Sequence, residues 1–225
     1  MKQYASVLGK HKCIELPRNS THMTDKPLNK HALKTKQTRE LLLRSAEKIF
    51  VRDGYEGAEL GEIASLAGRT KGAIYAHFAN KEDLFIALFE QRTQKWSSRF
   101  SEMVAASKDK EHNVEVFREF LLSILKDSAW LLLLLEFKLY AARNPKSKKH
   151  LQAAYKSMYP ADEEIYIDLF GKPQSSESSL SRSSAIMMFL PLFSALAAER
   201  QFAPQLLDNS EMKKIAIRVF DALMA

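Results

Sequence analysis

Thr70, Lys71 and Tyr75 place a hydroxyl, an ammonium and a phenol close together in the sequence. Proteins use these groups to hold the phosphates of nucleic acids. Gly72 and Ala73 lie among them and are small, so a helix that starts here comes close to a phosphate or a base. The Ala73 methyl also suits contact with a thymine methyl. The pattern therefore predicts contact with double-stranded DNA.

Two short helices and a tight turn must position these groups. A helix-turn-helix needs a small residue where its second helix crosses the first, and Ala64 is small. It also needs a turn residue without a side chain, at Gly68, and an apolar anchor in the second helix, at Ile74. The spacing predicts a helix-turn-helix over residues 59–78 whose second helix enters the major groove. The same spacing also fits an ordinary corner between two helices of a bundle.

A longer helix precedes this window and another follows it. Gly54 ends the first, and Thr35 or Thr38 caps its start. Asn80 caps the fourth helix, which continues to about residue 103. Both helices carry apolar residues at helical spacing, the pattern of a face that packs on a core. These residues are Leu42, Ala46, Ile49 and Phe50 in the first helix, and Leu84, Phe85, Leu88 and Phe89 in the fourth.

Few residues interrupt the rest of the chain, since prolines are absent from residues 28–144 and Gly171 is the only glycine after Gly72. We therefore expect an all-α fold of about nine helices. A serine-rich segment over 175–184 has no role that the sequence indicates. The later predicted helices are 114–128, 130–143, 145–170 with a bend at Pro160, 181–202, and 210–225 with the apolar stripe Ile215, Val219 and Leu223.

The positive charge of the chain lies mainly at its N-terminus. The 225 residues have a formal net charge of +7, and residues 1–34 hold seven Lys or Arg against two Asp or Glu. We expect a basic, flexible arm over residues 1–35, which either follows nucleic-acid phosphates or is a solvated tail. Translation from Met23 would remove residues 1–22 from it.

The composition also indicates the cellular compartment in which the protein is expected. The single cysteine, Cys13, excludes an intramolecular disulfide and a cysteine-rich zinc site, and it favours the reducing cytoplasm. The longest apolar stretch, residues 185–198, is too short for a bilayer span. The N-terminus lacks the apolar core of a signal peptide. We therefore expect a cytoplasmic protein with no membrane contact.

The sequence offers no set of residues for catalysis. Its six histidines are scattered. It contains no phosphate loop, no dinucleotide fingerprint and no Glu-x-x-His pair. The carboxylates of Glu163 and Glu164 have the pattern of a solvated helix face. We expect no enzyme activity, no cofactor and no metal site.

The C-terminal half is rich in large apolar side chains. Trp130, Phe137 and Tyr140 lie near one helix face and either line a ligand pocket or pack in the core. The helix over 181–202 is apolar nearly all round, which is typical of a buried helix or an oligomer interface. Its large apolar residues are Met187, Met188, Phe189, Leu192, Phe193 and Leu196.

Residues 36–96 resemble the N-terminal domain of the TetR family of bacterial transcription regulators. The likeness begins at Arg39 and the stripe of the first helix and extends to Leu84. The resemblance implies a DNA-binding domain over 36–96 and a helical domain over 97–225 that forms a homodimer and binds a small molecule. The motifs that carry it are Phe50, Gly54-Tyr55, Glu62-Ile63-Ala64, Ala67-Gly68, Thr70-Lys71-Gly72, Ile74-Tyr75, His77-Phe78 and Lys81-Glu82.

The resemblance also implies roles for single residues. Arg69 stands where the family has a small apolar residue, and it either reads a guanine or reaches a phosphate or solvent. Ala76 stands where the family often has an aromatic residue, which removes a phosphate contact. His77 either contacts DNA or packs against the turn. By the resemblance, Thr70, Lys71, Tyr75, His77 and Lys81 contact phosphates, and Arg69, Ala73 and Ile74 lie near bases.

These observations predict a homodimeric, sequence-specific repressor that a small molecule releases from a palindromic operator. The alternative is a helical adaptor that binds DNA and recruits a protein partner without small-molecule control.

Overall fold

The predicted all-α fold is confirmed in the computed structural model of the chain, whose described residues form ten α-helices and no strand. These residues divide into two compact units, one ending at Thr93 and the other beginning at Gln94. Residues 1–29 of the predicted arm, the predicted bend at Pro160 and residues 175–179 of the serine-rich segment lie outside the described part. The structure describes residues 30–107, 109–159, 162–173 and 180–225.

Four helices build the N-terminal unit. The first begins earlier than predicted, at Lys30, so the proposed caps at Thr35 and Thr38 were wrong. The Thr35 hydroxyl instead donates to the carbonyl of His31 inside the helix, at 3.0 Å, and so does not act as a cap. The helices are α1 at Lys30–Gly57, α2 at Leu60–Leu66, α3 at Lys71–Tyr75 and α4 at Lys81–Ala105, which continues past the end of the unit.

Gly54 interrupts α1 near its end, as the sequence predicted. Its φ of 75° and ψ of 176° are a conformation that is essentially restricted to glycine. The chain turns there and brings Tyr55 back onto the core, where its ring lies 5.9 Å from Phe50 and 5.3 Å from Phe85. The predicted apolar stripes of α1 and α4 are confirmed, since every residue in them is buried.

Six further helices lie in the C-terminal unit. The predicted helix over 145–170 is in fact two helices, which raises the number from nine to ten. The side chain of Asp162 accepts a hydrogen bond from the Glu164 amide at 3.1 Å and so starts the second of them. The helices are α5 at Lys110–Leu125, α6 at Ser128–Arg143, α7 at Pro145–Met158, α8 at Glu163–Phe170, α9 at Arg182–Phe202 and α10 at Asn209–Met224.

Aromatic rings form the core of this unit. Phe117 on α5 contacts Phe170, Phe189 and Phe220, with ring centroids 5.1, 5.8 and 5.9 Å apart. Because Phe220 points into this cluster, α10 buries a different stripe from the predicted one. Met212, Ala216, Phe220 and Met224 are buried, whereas Ile215, Val219 and Leu223 are half-buried.

No helix among the described residues is long and apolar enough to cross a bilayer. In the same residues, no three histidine, cysteine or acidic side chains form a group suited to a metal ion.

Candidate nucleic-acid interface

The turn between α2 and α3 is held by two backbone hydrogen bonds. The amide of Arg69 donates to the carbonyl of Ala64, and the amide of Gly68 donates to that of Ser65, both at 2.9 Å. Gly68 has a φ of 63°. This is the Schellman arrangement, in which glycine adopts the left-handed conformation that other residues rarely take. It fixes the angle at which α3 leaves α2.

Ile74 holds α3 against the rest of the unit. Its side chain is fully buried, and Ala64 on α2 is 1% exposed. Both therefore have the structural roles that the spacing predicted. The resemblance also placed Ile74 near DNA bases, but its side chain faces the protein interior here. Any closeness of this position to a base would have to come through its backbone.

The outer side of α3 carries the predicted phosphate-binding groups. Tyr75 is 53% exposed, and Thr70, Lys71 and Gly72 are exposed beside it. Thr70 is the residue that precedes the helix, yet its hydroxyl makes no capping hydrogen bond. The Thr70 hydroxyl therefore remains available to bind a ligand. Ala73 is half-buried on the same helix.

Gly72 is not required by the packing of the protein itself. A Cβ atom built there would lie 3.7 Å from the Thr70 hydroxyl oxygen, an ordinary van der Waals distance. Glycine inside a helix costs roughly 1 kcal/mol relative to alanine. Its presence is therefore explained better by the close approach of another molecule than by the fold.

Arg69 is exposed but its side chain turns back on the loop. Its Nη1 donates to the carbonyl of Gly68 at 2.9 Å. This bond uses one of the five N–H donors of the guanidinium. The remaining donors are enough for a bidentate contact with a guanine or a phosphate, so the structure leaves both alternatives for Arg69 open.

Lys81 differs from the other residues predicted to contact phosphates, because its ammonium makes hydrogen bonds within the protein. Its Nζ donates to the carbonyls of Glu56 at 2.9 Å and Ala58 at 3.2 Å, and it lies 5.1 Å from the centre of the Tyr55 ring. The ammonium thus joins the start of α4 to the end of α1. His77 is half-buried, with its ring 6.2 Å from that of Phe78.

Several contacts that support this surface were not predicted from the sequence. Arg52 at the end of α1 pairs with Glu62 on α2 at 2.6 Å, and it holds the pKa of Asp53 below its ordinary value. Arg39 lies over the ring of Phe78 at 5.1 Å. The contacts of Arg52 with Glu62 and of Arg39 with Phe78 join different segments of the chain, so helical periodicity gives no signal for them.

The predicted ligand residues lie elsewhere, in the C-terminal unit. Trp130 is 1% exposed and Phe137 is fully buried. Tyr140 is half-buried, with its ring 6.2 Å from that of Phe137. None of the three lines the groove of about 540 Å³ between α5 and α10, whose wall includes Lys126 and Lys213. Their role in ligand binding stays a prediction.

The geometry of residues 59–78 is that of a helix-turn-helix protein. Residues 42–88 match the bacterial regulatory proteins of the tetR family. This match lies within the N-terminal unit and confirms the resemblance carried by the motifs between Arg39 and Leu84.

Individual relatives support the same assignment. The transcriptional repressor AcnR of Corynebacterium efficiens is 35% identical over 78 residues, which are 35% of this chain and 37% of AcnR. The transcriptional regulator AcrR of Shigella flexneri is 48% identical over 63 residues, which are 26% of this chain and 29% of AcrR. These matches thus cover well under two thirds of either relative. Both proteins are transcription regulators.

A solved structure extends the likeness to the whole fold. The transcriptional regulator FadR from Bacillus subtilis, in complex with stearoyl-CoA, has a TM-score of 0.62 with this chain at 18% identity. The alignment covers 83% of this chain and 97% of FadR. At this identity the likeness shows the fold alone.

Proposed function

We propose that the protein is a sequence-specific DNA-binding transcription regulator that acts as a repressor. The observation that carries the proposal is the outer side of α3. There Thr70, Lys71 and Tyr75 are exposed around a glycine that the fold does not need, on a helix that Ile74 and the Gly68 turn hold rigidly. Phosphate contacts from such a helix orient it in the major groove, where base edges carry the sequence information.

The proposed active form is a homodimer, because a single short helix covers only a few base pairs. On the outer side of α9, Met187 is 43% exposed and Met188 is 40% exposed. Leu192 and Leu196 are half-buried on the same helix. The helix α10 packs on α9 and also carries half-buried apolar residues. An exposed apolar face of this kind suits an interface between two copies.

Control by a small molecule completes the proposal. In this mechanism the ligand binds more tightly to a dimer in which the two copies of α3 no longer match the spacing of a palindromic operator. DNA affinity then falls in proportion to the difference in ligand affinity between the two states. The stearoyl-CoA complex of FadR supports a ligand-binding role for this fold. A location in the cytoplasm, where DNA and ligand meet, is part of the same proposal.

The central test measures sequence preference. Duplexes that the protein selects from a random library are sequenced, and the binding of an enriched duplex is compared with that of a scrambled duplex by fluorescence anisotropy at physiological salt. We expect an enriched palindrome bound roughly a thousandfold more tightly than the scrambled duplex. Equal binding to all duplexes, with a steep salt dependence, would contradict a sequence reader and favour the adaptor.

The dimer has a separate test. Leu192→Glu places a charge on the outer side of α9, and we expect the sedimentation velocity of this variant to be that of a monomer. Glu199→Gln, at an exposed position of the same helix, is the control and should remain dimeric. A monomeric wild-type protein would contradict the proposed active form.

A further inference from the structure

Lys138 lies in a cluster of polar groups within the C-terminal unit. It is half-buried on α6, and its Nζ lies 5.1 Å from the centre of the Tyr155 ring on α7. The Tyr155 ring in turn lies 5.8 Å from the ring of Tyr159. The ammonium on α6 and two tyrosine rings, one on α7 and one directly after it, are thus grouped in a largely apolar unit.

The charge of Lys138 is not balanced by an acidic side chain. Among the described residues, no carboxylate forms an ion pair with it. Burial lowers the pKa of Lys138 to about 8. Withdrawal of an ammonium from water is unfavourable unless an opposite charge accompanies it, and the face of one aromatic ring compensates only in part. A bound anion would supply the missing partner.

The neighbouring phenols have the matching hydrogen-bonding character. Burial raises the pKa of Tyr155 well above its ordinary value. Burial also raises the pKa of Tyr159, and the nearby Tyr155 and Tyr166 raise it further. Both phenols therefore keep their protons at neutral pH and can donate to an anionic oxygen, the strongest kind of acceptor.

A cationic ligand fits this cluster less well. Aromatic rings bind ammonium groups on their faces, but the Tyr155 face already holds the ammonium of Lys138. A second cation would meet like charge at close range. The cluster therefore favours negative charge.

We propose that Lys138, Tyr155 and Tyr159 bind the anionic group of an apolar small molecule and so define the chemical class of the effector. This inference rests on the proposed ligand-controlled regulator and adds the class of its ligand. All three donors come from this chain. The ammonium supplies positive charge, and the phenol hydroxyls orient the anion through hydrogen bonds.

The test uses two fluorescent probes that differ in one charged group. 1-Anilinonaphthalene-8-sulfonate is an aromatic anion, and N-phenyl-1-naphthylamine has the same rings without the sulfonate. In fluorescence titrations at pH 7, we expect the wild-type protein to bind the anion at least tenfold more tightly than the neutral probe. Lys138→Met should abolish this preference and leave the affinity for the neutral probe unchanged, while Lys138→Arg should retain it.

Lys126→Met is the matched control, because Lys126 lines the groove between α5 and α10 in the same unit. Loss of the preference in Lys126→Met but not in Lys138→Met would place the anion in that groove and overturn the proposal. Equal affinity of the wild-type protein for the two probes would overturn it as well.

The operator affinity of Lys138→Met separates this inference from the proposed function. The substitution lies in the C-terminal unit, so operator binding and the circular dichroism spectrum should match those of the wild type. If the wild type prefers the anion and Lys138→Met does not fold, Tyr155→Phe decides the outcome. It removes one phenol donor and should weaken anion binding several-fold, and an unchanged affinity would overturn the assignment of Tyr155.

Discussion

The ammonium of Lys81 lies 5.1 Å from the centre of the Tyr55 ring. It also donates to two backbone carbonyls just beyond that ring, those of Glu56 and Ala58. A lysine that the resemblance assigns to a DNA phosphate therefore connects α1 to α4 inside the unit. Lys71 is exposed on α3, and among the described residues it has no such internal bonds. We therefore expect the two lysines to make different contributions, Lys81 to stability and Lys71 to DNA binding.

Replacement of Lys81 should affect stability first. Lys81→Met removes two hydrogen bonds from a charged donor and a cation–π contact, and we expect the free energy of unfolding to fall by about 1–2 kcal/mol. Urea denaturation of the full chain, followed by circular dichroism, measures the change. Unchanged stability together with a large loss of DNA affinity would show that Lys81 leaves these bonds to hold a phosphate.

Replacement of Lys71 should affect DNA binding without affecting the fold. Lys71→Ala is expected to weaken binding to operator and scrambled duplexes by a similar factor. It should also reduce the slope of log affinity against log salt concentration by about one, because one phosphate contact is lost. Anisotropy titrations at several salt concentrations measure both effects. An unchanged slope would remove Lys71 from the interface.

Gly72 offers a test in which stability and DNA affinity change in opposite directions. Gly72→Ala fits the free protein and should raise its stability by up to about 1 kcal/mol, since alanine favours the helix. The added methyl should nevertheless weaken operator binding at least tenfold if α3 approaches the DNA closely at this point. Gly61→Ala, at an exposed helical glycine with open space around it, is the control for the gain in stability. Full operator affinity in Gly72→Ala would refute the close approach.

The sequence predicts the N-terminal unit well because its signals are local. Gly54 and Gly68 occupy backbone conformations that favour glycine, and Asn80 accepts a hydrogen bond from the Asp83 amide at 2.9 Å, as an N-terminal cap does. The apolar residues of the stripe from Leu42 to Phe50 recur at regular helical spacing. Each of these features depends on residues within a few positions of one another, so a sequence contains them directly.

The C-terminal unit was predicted less well because its decisive contacts join distant segments. The spacing of Ile215 and Val219 is as regular as that of the buried stripe. The face of α10 that turns inward is the one with Phe220, whose ring contacts those of Phe117 and Phe189 on other helices. The carboxylate of Glu163, expected on a solvated face, accepts hydrogen bonds from the amides at the start of α9. Nothing in the local pattern indicates such partners.

Arg182 is the strongest of these distant connections. It is 3% exposed, and its guanidinium donates to the carbonyls of Gly171, Lys172 and Met224 at 3.1, 3.0 and 2.5 Å. It thus joins α9 to the ends of α8 and α10. Arg182→Met would leave three carbonyls without this donor, and we expect the free energy of unfolding to fall by about 3 kcal/mol.

Urea denaturation tests Arg182→Met beside Arg200→Met, whose guanidinium makes an exposed contact with Asn209. The control should change stability by less than about 0.5 kcal/mol. Equal effects of the two substitutions would show that the buried connections of Arg182 contribute little.

Glu163 should make the stability of the same region depend on pH in the acid range. Burial raises the pKa of this carboxyl, but hydrogen bonds from Ser183 and from the Arg182 amide outweigh burial and hold the pKa below its ordinary value of 4.5. Since the folded state binds the proton less readily than the unfolded state, this stabilisation is present above pH 4.5 and is lost as the pH falls below it. Glu163→Gln should therefore be less stable than the wild type at pH 7, and the difference should shrink in acid. A difference that does not depend on pH would contradict this cause.

Lys138 should make the free energy of unfolding depend on pH in the alkaline range. Its pKa of about 8 lies below the ordinary 10.5, so between these values the unfolded chain binds more protons than the folded one, and stability rises with pH. Lys138→Met should remove a rise of about 1–2 kcal/mol between pH 8 and pH 10. Above pH 10, the raised pKa values of Tyr155 and Tyr159 reverse the trend in both proteins, because only the unfolded phenols lose their protons. Urea denaturation of both proteins at pH 8 and pH 10 measures the difference, and parallel pH profiles would show that Lys138 is solvated in the folded state.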